Sequence, residues 1–153
     1  MEATGQLYLT SDMNVTLDAN YRYKVALPEF AFVKKKGTMN TIFVNITAFA
    51  KSIEIEPTIL IKIIGKKLST RSTLSGIQGQ HDTNIIKNII YTFIQDFLLC
   101  KSCDKPEVKL KVSSSDKTRL KQKCKACGNK TYIERDVDTD IIELLCKHIQ
   151  TKN

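Results

Sequence analysis

The chain has 153 residues, of which 24 are Lys or Arg and 16 Asp or Glu, giving a formal net charge of +8 with 42% hydrophobic residues. That length holds one sizeable core plus a small satellite module, and not two large domains. No apolar run reaches the length of about 18 residues that a membrane helix needs, and Met1-Glu2-Ala3-Thr4 opens neither a signal peptide nor a myristoylation site, so a soluble cytoplasmic chain with no membrane partner is expected.

Residues 1–19 are polar and mixed, a flexible N-terminal arm without its own core. From Asn20 to Leu27 the chain reads as extended, with Tyr21, Tyr23 and Val25 alternating with Arg22 and Lys24. Lys34-Lys35-Lys36-Gly37 is a basic turn, and its three lysines are candidate RNA contacts. Thr41 to Asn45 is β-branched and aromatic, the composition of a buried strand. Thr47 is placed to cap a short helix whose apolar residues Ile46, Phe49, Ala50 and Ile53 fall at helical spacing. Pro57 fits the first turn of a second helix, with Ile59, Leu60, Ile63, Ile64 and Leu68 inside and Lys62, Lys66 and Lys67 outside. Two short helices joined by a tight turn predict a helix-turn-helix-like pair. Arg71 to Ile77 with Gln78-Gly79-Gln80 reads as a small hairpin.

Asp82 or Thr83 then begins the strongest helix of the chain. Ile85, Ile86, Ile89, Ile90, Phe93, Ile94, Phe97 and Leu98 recur at i, i+3 and i+4, a stripe that belongs to a core and not to a cofactor site. The helix runs straight into Cys100 and so links two modules mechanically. A last helix spans Asp138 to about Gln150. Within it Cys146 reads as a buried apolar residue, not a reactive thiol.

Cys100-Lys-Ser-Cys103 and Cys124-Lys-Ala-Cys127 are separated by residues 104–123, the spacing of a zinc ribbon. Zn²⁺ takes four thiolates in a closed tetrahedron, and each Cys-x-x-Cys turn presents two of them. Gly128 follows the second pair, where such a knuckle needs positive φ. The competing readings are a disulfide pair and a redox Cys-x-x-Cys. With all four positions filled, one Zn²⁺ on Cys100, Cys103, Cys124 and Cys127 is structural and leaves no place for a catalytic water. Between Cys100 and Lys130 nine lysines and one arginine face only Asp104, Glu107 and Asp116. Four thiolates on one Zn²⁺ subtract about two charges from that excess and leave the ribbon strongly basic. Such density favours a polyanion, and in a cytoplasmic chain RNA before a membrane; Lys121, Lys123 and Lys125 are the candidate contacts. The two histidines, His81 and His148, have no nucleophile in a recognisable local motif, and no phosphate-binding Gly-x-x-x-x-Gly-Lys-Ser/Thr occurs. An independent enzyme is not expected. The fold class is α+β: a small α/β domain (20–98) with the helix-turn-helix-like pair, a zinc ribbon (99–136) and a C-terminal helix (137–153).

Over residues 20 to 150 the chain resembles the N-terminal domain of eukaryotic translation initiation factor 5 and its relative, the beta subunit of initiation factor 2. The motifs that carry the likeness are Tyr21-Arg22-Tyr23-Lys24; Thr41-Ile42-Phe43-Val44-Asn45; Gly79-Gln80-His81 before the long helix; Phe97-Leu98-Leu99-Cys100 with Cys103 and Pro106; and Cys124-Lys125-Ala126-Cys127-Gly128. Tyr21-Arg22-Tyr23-Lys24 and the helix after the ribbon look like factor 5, whereas Gly37 to Thr47 looks more like the beta subunit. The likeness to factor 5 implies start-codon selection on the initiation factor 2–GTP–initiator tRNA complex of the small ribosomal subunit. It implies contacts with the gamma subunit of initiation factor 2, initiator tRNA, and mRNA or ribosomal RNA. It also implies a role for Arg22 as an arginine finger that promotes GTP hydrolysis in trans. The alternative is a beta-like subunit that binds tRNA without GTPase activation. A zinc-ribbon transcription factor is the third reading, disfavoured because the ribbon has no acidic hairpin tip.

Overall fold

The computed structural model describes residues 6–9, 23–134 and 138–151. The described residues divide into two compact units, one containing Lys24–Thr92 and the other Phe93 onward, with Leu7 grouped with the first and Tyr8, Leu9 and Tyr23 with the second.

β1 (Gln6–Tyr8) pairs with β2 (Lys24–Ala26) in a two-stranded sheet. Leu7 in the strand and Leu9 just after it are both buried, so the stretch expected as an arm without a core contributes two buried leucines. The other residues of that arm, together with Tyr21 and Arg22, lie outside the described residues.

The first unit is built on a four-stranded sheet of order β3-β4-β6-β5, with β3 at Phe30–Lys35, β4 at Thr38–Phe43, β5 at Ser72–Thr73 and β6 at Gly76–Gln78. Strand β3 is an edge that sequence patterning passes over. It is exposed along nearly its whole length and so shows no apolar alternation. The expected basic turn is the two-residue connection Lys36-Gly37, with φ of 53° and 81°. Positive φ at both central residues matches the right-handed twist of the flanking strands. The strand expected at Thr41–Asn45 begins three residues earlier and ends at Phe43. Thr41 is its anchor: its buried hydroxyl donates to the Gly79 carbonyl at 2.9 Å and accepts the His81 N–H at 3.0 Å. His81 in turn sets its Nε2 2.8 Å from the Gln78 carbonyl.

Helix α1 (Ile46–Ser52) buries Ile46, Phe49 and Ala50. Its cap is Asn45 and not Thr47. The Asn45 side chain makes no bond to the helix but ties down the incoming chain, accepting from Glu29 N–H at 2.8 Å and donating to the Leu27 carbonyl at 3.0 Å. Helix α2 (Pro57–Lys67) starts at its proline as expected and packs on α1. It buries Ile61 as well as Ile59, Leu60, Ile63 and Ile64, whereas Leu68 is only half-buried. Gly65 lets α2 approach β5, because a Cβ there would collide with the Ser72 hydroxyl.

Helix α3 (Thr83–Phe93) starts after Asp82, whose carboxylate accepts the Asn84 N–H at 2.9 Å. It gives way to a π-helical turn at Ile94–Leu98, closed by Leu99 N–H on the Ile94 carbonyl at 3.1 Å. Phe97 and Leu98 in the turn, and Leu99 and Cys100 just beyond it, are all buried. At the other end the expected stripe is too wide: Ile85 is 51% exposed, and the buried line starts at Ile86.

The second unit carries a three-stranded antiparallel sheet of order β7-β8-β9, with β7 at Val108–Val112, β8 at Leu120–Cys124 and β9 at Lys130–Tyr132. Helix α4 (Thr139–Thr151) packs on β7 and β8, and its Cys146 is buried as expected.

Candidate metal centre

Each cysteine pair sits on a turn, and the two turns have the same construction. In the first, Cys100 N–H donates to the Lys105 carbonyl at 3.0 Å, and Asp104 N–H returns to the Cys100 carbonyl at 3.0 Å. In the second, Cys124 N–H donates to the Asn129 carbonyl at 3.0 Å, and Gly128 N–H returns to the Cys124 carbonyl at 2.9 Å. The residue after each pair is left-handed, Asp104 at φ 63° and Gly128 at φ 78°. Apart from its chain neighbours, no described residue comes within 4 Å of where a Gly128 Cβ would lie, so a side chain there meets conformational strain and not a clash. Gly128→Val is expected to destabilise the second unit by about 1–2 kcal/mol and Gly128→Asn by less. Thermal melts of the two variants check the order.

The fold brings the four sulfurs together. All lie within 4.8 Å of one another. Cys100 to Cys127 and Cys103 to Cys124 are both 3.6 Å apart, and both pairs cross from one turn to the other. A tetrahedral ion with metal–sulfur bonds of about 2.3 Å sets its sulfurs about 3.8 Å apart. A disulfide needs about 2 Å, and all four thiols are free. The set can therefore hold a metal ion.

The electrostatics ask for one. Burial pushes the Cys100 thiol up, but the backbone N–H groups of Cys103 and Ser102 and the thiols of Cys127 and Cys103 bring it down to about 7. The Ser102 N–H points at the Cys100 sulfur from 3.3 Å. Cys103 goes the other way: the Lys105 N–H draws it down, yet desolvation and the thiols of Cys124, Cys100 and Cys127 hold it up at about 12. Four neighbouring thiolates repel, and a divalent cation removes that conflict.

One residue outside the motif supports the first turn. Gln122 on β8 is 2% exposed and donates its Nε2 to two carbonyls at the end of the π-helical turn, Phe97 at 2.9 Å and Leu99 at 3.0 Å. Its Oε1 has no partner among the described residues. Gln122→Leu removes the donor from two acceptors and is expected to cost about 1–3 kcal/mol, measured as a lower denaturant midpoint for the second unit. A polar residue inside an alternating strand was the available signal.

The lysines proposed from sequence divide differently. Lys34 and Lys35 are consecutive on β3, opposite Met39 and Thr38, and so point to opposite faces of the sheet, with Lys36 in the turn. Lys121 and Lys123 share a face of β8, whereas Lys125 is on the second cysteine turn. Lys109, Lys111 and Lys130 lie on the same face as Lys121 and Lys123 and were not singled out beforehand. The alternation in Val108-Lys109-Leu110-Lys111-Val112 carries that information.

A family model described as a domain found in initiation factors 2B and 5 matches residues 13–130. Eukaryotic translation initiation factor 5 of Caenorhabditis elegans is 37% identical over 119 residues, covering 72% of this chain and 26% of that protein. The protein of the same name from Drosophila melanogaster is 32% identical over 117 residues, 72% of this chain and 25% of the relative. A probable eukaryotic translation initiation factor 5 of Schizosaccharomyces pombe is 28% identical over 123 residues, 76% of this chain and 31% of the relative. The chain thus spans between a quarter and a third of the length of these curated relatives.

Proposed function

Because the chain belongs to the domain family found in initiation factors 2B and 5, we propose that it acts in translation initiation in the manner of factor 5. Its place is on the initiation factor 2–GTP–initiator tRNA complex of the small ribosomal subunit, where it promotes GTP hydrolysis at start-codon selection. The observation that carries this reading is the match over residues 13–130, which takes in both the α/β elements and the four-cysteine ribbon and whose curated relatives are named as factor 5.

Within it, Cys100, Cys103, Cys124 and Cys127 hold one structural Zn²⁺. The ion supplies cross-links between two turns and no chemistry, since four thiolates close its coordination. The chain is a factor and not an enzyme in its own right. Arg22 provides the guanidinium that neutralises charge on the phosphoryl oxygens of a GTP held by the gamma subunit. The basic surfaces meet initiator tRNA, mRNA or ribosomal RNA, and the site of action is the cytoplasm.

The test is single-turnover GTP hydrolysis by a preassembled initiation factor 2–GTP–initiator tRNA complex on small subunits, with and without this chain. Stimulation by the chain supports the factor 5 reading. Binding without stimulation supports the beta-like alternative, to which the segment Gly37–Thr47 points.

A further inference from the structure

The ribbon sheet has two faces of opposite character. Strand register puts Lys109 opposite Lys123, Lys111 opposite Lys121, and Lys123 opposite Lys130. Directly opposed residues project from the same side of a sheet. Five lysines therefore share one face, and Tyr132, opposite Lys121, joins them. The other face carries Leu120, Gln122 and Cys124, all buried. No acidic residue occurs within the three strands.

Like charges placed directly opposite each other oppose folding of a sheet. A face that is merely solvated interleaves both signs and avoids that cost. Here three cross-strand lysine pairs stand on strands only three to five residues long. Strand geometry spaces the rows by about 4.8 Å across the sheet and lysines of one row by about 6.8 Å along it. At the margin of the face the Arg119 guanidinium lies over the Tyr132 ring, 4.2 Å from its centroid, and the ring is 41% exposed. That pair is a flat cationic platform on which a base can stack.

We infer that this lysine face of the ribbon is an RNA-binding surface, with Lys109, Lys111, Lys121, Lys123 and Lys130 on backbone phosphates and the Arg119–Tyr132 pair against an unpaired base. The inference rests on the reading above that the chain works against RNA, and it names the surface and the form of RNA. A protein partner fits less well, because interface cores are depleted in charged residues and lysine fills these rows. An anionic membrane fits less well too, because no apolar wedge accompanies the charge.

The experiment is fluorescence anisotropy of the metal-loaded full chain with a short labelled oligouridylate across a salt series. On single strands log K falls with log salt by about 0.7 per phosphate contact. Lys111→Gln with Lys123→Gln is expected to reduce that slope by about 1.4 and weaken binding about tenfold. Lys62→Gln with Lys66→Gln removes the same charge from α2 and is expected to change little. Tyr132→Ala is expected to weaken binding about fivefold or more with the slope unchanged. Native mass spectrometry checks metal loading, and Lys109→Gln with Lys130→Gln replaces the first pair if that pair fails to load.

Equal losses from the α2 pair, or an unchanged slope in the ribbon pair, overturn the proposal. So does equally tight, equally lysine-dependent binding to phosphatidylserine vesicles or polyglutamate. The readout does not involve GTP. Loss of RNA binding in a chain that stimulates hydrolysis sinks this surface alone, and retained lysine-dependent binding without stimulation sinks only the factor 5 reading.

Discussion

Removing the metal is expected to unfold the ribbon strands and leave the helix ahead of them standing. The two cysteine turns are held by a few backbone hydrogen bonds each, and their sulfurs converge from opposite ends of the excursion between Cys103 and Cys124. Without a cation, the conflict between a Cys100 thiol near 7 and a Cys103 thiol near 12 leaves protons at the centre. The turns then lose the cross-link between their sulfurs and keep only the β7–β8 ladder and the Gln122 bonds. Structural zinc sites in small modules contribute about 10–16 kcal/mol of apparent binding free energy, comparable to the whole stability of a domain at about 5–15 kcal/mol. Helix α3 has its own buried line, Ile86 and Ile90, and does not depend on the ion. Native mass spectrometry is expected to count one Zn²⁺ per chain, and a chelator or Cys124→Ser to erase amide-exchange protection at Leu120–Cys124 while that of Ile86–Ile90 persists. A metal-free native chain, or a Cys124→Ser variant with protected ribbon amides, defeats the zinc assignment.

The cysteine spacing was legible because it reports a chemical requirement directly: two turns, four thiolates, one left-handed residue after each pair. Helices α1, α2 and α3 were legible for a related reason, since a buried stripe writes a 3.6-residue period into the sequence. What escaped had no such signature. Strand β3 is an exposed edge whose only partner among the described residues is β4, so nothing in Phe30–Lys35 alternates between core and solvent. Asn45 took the cap position from Thr47 because its side chain satisfies two backbone groups of the chain at Leu27 and Glu29, a tertiary requirement that local spacing does not contain. The π-helical turn is invisible to a count of apolar residues, since Phe97 and Leu98 fit a helical stripe until the hydrogen bonds are traced. The lysine face needed register. Alternation within β7 and within β8 shows that each strand has a basic side, but only pairing places those sides together.

Arg22→Ala is expected to abolish stimulation of GTP hydrolysis on the initiation factor 2 complex while leaving binding to that complex largely intact. Arg22 lies outside the described residues. A guanidinium supplied in trans acts on charge that develops as the phosphoryl group departs, and interactions made only in the transition state raise the rate without raising ground-state affinity. In other GTPases such a residue is worth about 10³ to 10⁵ in rate, the largest effect expected of any substitution in this chain. Arg22→Lys is expected to rescue little, because a compact ammonium cannot reproduce the planar, multi-donor fork. Tyr21 and Tyr23 flank it in sequence, and their replacement by Leu is expected to be milder, lowering the rate by loosening its orientation. Single-turnover hydrolysis beside a separate pull-down of the complex distinguishes rate from binding. If the unmodified chain binds but does not stimulate, Arg22 is not a finger and the beta-like role takes the place of factor 5. If Arg22→Ala weakens binding as much as rate, the guanidinium is a docking contact and the finger assignment fails.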